Sequence, residues 1–280
     1  MDKETFNIYA WLIVGVLIIM AVISQITIFG DTTEKGLYDM ADSYIEKAEA
    51  VELPAMGTPL NDCSWAQIQK ICNENLETDY FNVGDEKEII LSYLNGNTEK
   101  ITVVILDFNK DYVSNSKKTA SITFGFKDCL NQKTPMNNTA SNQDGWTNAD
   151  VFSAINDEEN YKSIYNAMPE QLKNLIVKVN KAASAGGLSP ILQKNTVKLF
   201  ILSEEEIGTK QMGIGGESST YSFYKFNSLI KKSNNVVTDY WLRSPVASDA
   251  GKYCYVTEGG IVGAAEANAE KGLSLAFCLK

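Results

Sequence analysis

The rhythm of hydrophobic and polar positions changes several times along the chain. Ile8 to Phe29, IYAWLIVGVLIIMAVISQITIF, carries no charged residue. A run of that length crosses a bilayer core as a helix, and no polar stripe interrupts it before Ser24 and Gln25. Residues 1–30 therefore read as a long hydrophobic helix, either a transmembrane anchor or a signal peptide. Cleavage after Ser24 is conceivable, but the leading MDKETFN has one Lys against two acids, which favours an uncleaved anchor. From 31 to 51 the spacing becomes that of an amphipathic helix, with Leu37, Met40, Ala41, Ile45, Ala48 and Val51 recurring every three or four residues. Residues 52–61, with Pro54, Gly57 and Pro59, read as a linker to a folded body over 62–280.

Within the body, three helix starts carry a capping-box pattern: Ser64 to Gln67, Thr147 to Asp150 and Ser203 to Glu206. A fourth helix is expected over 168–183, MPEQLKNLIVKVNKAA, opening on Pro169, with Leu172, Leu175, Ile176 and Val179 on its apolar face. Strands lie between. EIILSYL and KITVVILDF flank Asn95-Gly96, a hairpin signal. SITFGF (121–126) and VKLFIL (197–202) are further strands, YCYVT and IVGAA flank the turn at Glu258-Gly259-Gly260, and LSLAFCL closes the chain. Short strands unevenly mixed with helices predict an α+β body with small twisted antiparallel sheets.

Composition removes several functions. The formal net charge is −10, and an acidic chain without a basic stripe repels phosphate backbones, so no nucleic-acid partner is expected. There is no histidine, which excludes Ser-His-Asp and Cys-His machinery and most catalytic zinc sites. The five cysteines, Cys63, Cys72, Cys129, Cys254 and Cys278, form no CxxC pair and read best as small buried hydrophobes, although Cys254 and Cys278 could pair if their strands are neighbours.

Candidate chemistry is sparse. Glu204-Glu205-Glu206 is explained by a helix start. GGIVGA (259–264) lacks the dinucleotide fingerprint, and GIGG (213–216) lacks the Lys-Ser/Thr of a phosphate loop. Asp107, Asn109 and Asp111 alternate like a calcium loop but lack its Gly and distal Glu, so a turn after a strand is the better reading. No metal and no cofactor is expected. The distinctive stretch is DYWLRSP, 239–245. Arg243 is the only arginine in the chain. A lone Arg next to Trp241 points to a planar, buried role that Lys could not fill. Trp241, Arg243 and Trp146 are the expected structural keystones.

The series SWAQIQKI, DYFNVGDEKEI, ITVVILDFNKD, ITFGF, DGW, MPEQLKNLIVKVNK, KLFILSEEEIG, YWLRSP, YCYVTEGGIV and LAFCLK resembles the DUF6273 domain of bacterial surface and secreted proteins over nearly all of 62–280. The resemblance implies a C-type-lectin-like fold, distantly similar to the formylglycine-generating enzyme. The chain departs from the family pattern at Phe152, where an Arg is frequent, and at GLSLAF, which replaces Gly-Val-Arg-Pro-Ala. The calcium-dependent sugar motifs of true lectins are absent. In such a fold the loops over 246–272 form the ligand-facing surface, with Asp249, Lys252, Tyr253, Glu258, Glu266 and Asn268 as the candidate contacts.

These readings combine into a non-catalytic, adhesin-like binding module, held in the cell membrane through Ile8–Phe29 by a single pass, with the C-terminal domain outside and an unknown protein or glycan as ligand. The acidic flank after Gly30 (six acids against Lys35 and Lys47) gives this orientation only weak support. Two alternatives remain: a structural subunit or tip protein of a pilus-like filament, self-associating through a pilin-like N-terminal stem, and an enzyme distantly related to the formylglycine-generating one.

Overall fold

The computed structural model describes residues 51–280. The expected anchor (1–30) and the amphipathic helix, apart from Val51, lie outside the described residues. Among the described residues no helix is long and apolar enough to cross a membrane. The compact body begins at Leu53. Leu60, inside the expected linker, is buried in the core, and Leu53 packs against it. Residues 53–61 therefore belong to the body.

A 3₁₀ turn, Leu60–Asp62, leads into helix α1, Trp65–Asn73. The capping box forms: the Gln67 N–H donates to Ser64 Oγ at 3.2 Å, and the Ser64 N–H donates to Gln67 Oε1 at 2.8 Å. Trp65, Ile68, Ile71 and Cys72 form the buried face of α1. Helix α2 (Glu77–Tyr80) follows, then strands β1 (Glu86–Ser92) and β2 (Thr98–Phe108), joined at Asn95-Gly96 as the sequence predicts. Gly96 takes φ +83°, a conformation that favours glycine. In β1 the buried positions alternate with exposed ones, and one of the buried residues is Lys87. Its Nζ donates to the Asn61 and Cys63 carbonyls at 3.1 and 2.6 Å and lies 5.1 Å from the centre of the Trp65 ring.

Strand β3 (Ile122–Phe126) comes next, then a 3₁₀ turn at Trp146–Asn148 and helices α3 (Asp150–Asn156), α4 (Ile164–Ala167) and α5 (Glu170–Lys173). The remaining strands are β4 (Val179–Ser184), β5 (Leu192–Val197), β6 (Leu199–Ile201), β7 (Lys231–Ser233), β8 (Val236–Thr238), β9 (Tyr240–Pro245), β10 (Lys252–Val256), β11 (Val262–Glu266) and β12 (Leu275–Leu279). The main sheet has the order β1-β2-β3-β12-β6, a second has β11-β10-β9, and β4–β5 and β7–β8 are two-stranded. All strand pairings are antiparallel. The α+β expectation therefore holds at the level of mixed helices and small antiparallel sheets. Helix α1 meets the main sheet through an aromatic chain: Trp65 lies edge-on to Phe124 at 6.0 Å, and Phe124 stacks on Phe277 at 5.4 Å.

Three local expectations fail. The helix over 168–183 stops after Lys173, and the rest of the stretch is strand β4. Val179, Lys181 and Ala183 alternate inward, and the lysine in this series disguises a strand as an amphipathic helix. At Ser203 the reciprocal capping-box bonds form, yet only a turn follows, closed by Gly208 at φ +86°. At Thr147 no box forms. Helix α3 starts after Ala149, with the Asp150 N–H held by Asn137 Oδ1 at 2.8 Å. The β7–β8 hairpin was not read from sequence. Its Asn234-Asn235 turn takes φ +49° and +63°, which Asn tolerates better than most residues.

Gly125 in β3 packs against Leu106, and an added Cβ would fall 2.7 Å from Leu106 Cδ1. Gly125→Ala should destabilise the body by about 1–3 kcal/mol through overpacking, measured as a lower urea midpoint with unchanged slope.

Candidate functional site

The stretch 239–245 forms β9 with its preceding residue, and all six β9 residues are buried. Its polar side chains tie several segments. Asp239 accepts from Lys133 at 2.9 Å and from Lys271 at 2.6 Å. The Tyr240 hydroxyl donates to the Leu229 carbonyl at 2.8 Å, and the Trp241 indole N–H donates to the Thr134 carbonyl at 2.8 Å. Pro245 stands opposite Tyr253 of β10. Lys271 sits 3.7 Å above the Tyr255 ring, which lies edge-on to Trp241. Trp146, the third expected keystone, is fully buried against Phe152 at 4.9 Å, and its indole nitrogen has no hydrogen-bond partner.

Arg243 is sealed from solvent. Its guanidinium grips Glu206 in a fork, Nη1 to Oε2 at 2.5 Å and Nη2 to Oε1 at 3.0 Å, and donates to the Ile201 and Ala182 carbonyls at 3.0 and 3.1 Å. Glu206 also accepts from Lys181 Nζ at 2.8 Å and from the Ser203 N–H at 3.0 Å. Lys181 continues the network to Asp111 and to the Tyr221 hydroxyl, 2.5 Å away. Tyr221 and Thr123 donate to Asp111 Oδ2 at 2.8 and 2.6 Å. Two positive and two negative groups, all buried, thus balance one another. A separate arm runs from Ser244, whose hydroxyl donates to Glu217 and accepts from the Glu204 N–H at 3.0 Å.

The electrostatics follow the geometry. Burial would raise the Glu206 carboxyl, but Arg243 and Lys181 outweigh it and hold the group down at about 2. Burial pulls Lys181 down, and Asp111 and Glu206 more than offset this, so its ammonium is held above the usual range. Glu217 moves the other way. Burial dominates and lifts its carboxyl above the ordinary value, against the pull of Arg243 and its own hydrogen bonds.

The three consecutive glutamates do not converge. Glu204 accepts from the backbone N–H groups of Gln211, Met212 and Gly213, the shortest 2.7 Å, Glu205 accepts from the Ser218 N–H at 3.1 Å, and Glu206 turns to Arg243. Among the described residues no group of three or more Cys, Asp or Glu is arranged to hold a metal ion.

The 246–272 surface is built on the β10–β11 hairpin. Glu258, Glu266 and Asn268 are exposed, and Asp249 and Lys252 are half-buried and paired at 2.7 Å. Tyr253 is a correction. It is fully buried, because its position in β10 points into the body between Pro245 and Ala265. It cannot meet a ligand at that surface. The cysteines are all free and buried. Burial raises every thiol, Cys72 and Cys129 to about 12. Cys254 and Cys278 do not pair.

Sequence reading missed Glu206 as the partner of Arg243, Lys181, Asp111 and Tyr221 as the continuation of that network, and Glu217 as the partner of Ser244. The one signal was the uniqueness of the arginine itself, since a buried guanidinium requires buried carboxylates somewhere.

Two segments that carried the resemblance, LSEEEIG and YWLRSP, are joined physically by the Glu206–Arg243 fork. The family model of a domain of unknown function, DUF6273, matches residues 110–280. The chain belongs to the DUF6273 family. The match begins at Lys110, so α1, α2, β1 and β2 lie before the DUF6273 segment, which contains the whole charged network. No curated protein and no solved structure matches the chain.

Removing one partner of the fork unbalances the buried charges and leaves the other partner's fork oxygens or N–H groups unmet. Arg243→Met should cost about 3–5 kcal/mol in urea unfolding followed by Trp fluorescence. Glu206→Leu combined with Arg243→Met restores neutrality and should be more stable than Glu206→Leu alone.

Glu206 and Glu217 give opposite pH dependences. Stability from the depressed Glu206 is complete above the unfolded value near 4.5 and is lost as pH falls toward about 2. Stability from the raised Glu217 is complete below 4.5 and is lost as pH rises through its folded value. Glu217→Gln should therefore flatten the decline in Tm between pH 4.5 and 8, read by thermal melts across that range.

Proposed function

We propose that the chain is a non-catalytic, membrane-anchored ligand-binding module displayed outside a bacterial cell, with a C-type-lectin-like body. The observation that carries this reading is the direction in which the chemistry points. The strongly perturbed ionisable groups, Arg243, Glu206, Lys181 and Glu217, face one another inside the body. Catalytic groups with perturbed titration keep polar atoms free for a substrate, whereas the polar atoms of these are taken up by one another and by Ser244. The braced strand β9 leads directly into the β10–β11 hairpin, whose exposed Glu258, Glu266 and Asn268 are carried on a rigid support.

The enzyme alternative requires an accessible, ionisable thiol. Burial of all five cysteines, with their titration pushed upward, favours the binding reading over this alternative. The lectin-like fold draws support from the small antiparallel sheets and from β12, the last strand, which returns between β3 and β6 of the main sheet. The anchor draws support from the uncharged run Ile8–Phe29.

Protease shaving of intact cells, with mass spectrometry of the released peptides, tests the display. Peptides from 53–280 should be released without lysis. Release only after lysis would place the body inside the cell and overturn the reading.

A further inference from the structure

Lys181 sits where several reactive groups converge. Its Nζ donates to Asp111 Oδ1 and, at 2.8 Å, to Glu206 Oε1, and it lies 4.0 Å from the centre of the Phe200 ring. The second oxygen of Asp111, Oδ2, accepts from the Tyr221 and Thr123 hydroxyls at 2.8 and 2.6 Å. These side chains are all buried. An amine is thus held against a carboxyl group, with a second carboxylate on the amine and two donors on the carboxyl oxygen.

We propose that Lys181 and Asp111 condense into an intramolecular isopeptide bond, with Glu206 as the proton relay. The ammonium first gives one proton to Asp111 Oδ1, along the contact they already share, which neutralises both groups. The freed lone pair on Nζ attacks Asp111 Cγ. A C–N bond forms, and the carbonyl electron pair moves onto Oδ2, where the Tyr221 and Thr123 hydroxyls stabilise it. Nζ then gives a second proton to Glu206 Oε1, which passes it to Oδ1. The Cγ–Oδ1 bond breaks, the carbonyl re-forms at Oδ2, and one water leaves. Glu206 ends as the carboxylate it began as, and one proton remains on the amide nitrogen.

The surroundings favour the product. Two buried charges of opposite sign disappear, and with them the cost of keeping them out of water, while the Arg243–Glu206 fork keeps its own balance. No polar atom is stranded, since the amide N–H donates to Glu206 and the amide oxygen keeps its two hydroxyls. The reactants are already in contact, so the step is unimolecular. The water has an exit, because Asp111 and Lys181 line a cleft of about 460 Å³ that opens to solvent. The Lys271–Asp239 pair lacks this arrangement, since the further charged neighbour of Asp239 is Lys133, a cation. The bond ties β4 to the stretch between β2 and β3, 70 residues away in sequence. It forms once per chain and takes no outside substrate, so it goes beyond the binding-module reading and does not depend on it.

The test is the mass of the full chain, purified in detergent and then denatured, beside that of Lys181→Met. The parent should weigh one water less than its sequence requires. The variant should keep its full mass, and it corrects for any processing of the N-terminus. Trypsin should release 111–117 and 179–194 of the parent as one branched peptide, uncut at Lys181. A parent of full mass, or cleavage at Lys181 with no branched peptide, overturns the proposal. So does a missing water that persists in Lys181→Met. Glu206→Gln keeps the shape of the relay without its base. In the fraction of that variant that melts cooperatively, the branched peptide should fall at least tenfold, and an undiminished yield overturns the relay. The parent's peptide map decides the bond even where a variant does not fold.

Discussion

A guanidinium cannot leave water unless carboxylate oxygens and carbonyls meet most of its N–H groups. In this body that constraint organises much else. Arg243 takes both oxygens of Glu206 and the carbonyls of Ile201 and Ala182, so β9 must lie within reach of β6, of β4 and of the turn after Ser203. Glu206 in turn fixes Lys181, and Lys181 fixes Asp111 at the exit of β2. Segments far apart in sequence are thereby held at defined separations by groups that tolerate little displacement. Apolar packing around Phe124 and Phe277 supplies the nonspecific driving force for the sheet. The charges select one arrangement of the strands from those that an apolar core alone would accept.

The same network explains which parts of the structure were legible in the sequence. Hairpins with a turn signature, such as Asn95-Gly96, and strands with apolar alternation were readable because local chemistry and the final fold agree. The α1 capping box was readable for the same reason. Reading failed where a distant partner took over a residue. Lys181 belongs to the inward face of β4 only because Asp111 and Glu206 await it, so its strand looked like the polar side of a helix. Glu206 completed a capping box on paper and in space, yet its carboxylate also serves Arg243, and no helix grows from it. The importance of Arg243 could be inferred from its being the sole arginine, but its partners could not, because nothing local marks them.

The surface expectations divide in the same way. Glu258, Glu266 and Asn268 are exposed in or just after the β10–β11 hairpin, within the stretch that the family resemblance marks as loop surface. Tyr253 differs because it lies in the strand read at YCYVT, where its place in β10 turns it inward although the family resemblance puts it within the loop surface.

The five sealed thiols carry a consequence for where such a body can work. With no disulfide in the fold, none of its stability is lent by the oxidation state of its surroundings. Folding needs no oxidase or isomerase to choose among pairings, and a reductant finds no bond to cut. Buried and held in their protonated form, the sulfurs also resist alkylation and peroxide attack until the body itself opens. A protein made this way keeps the same shape in an oxygenated medium and in a strictly reducing one.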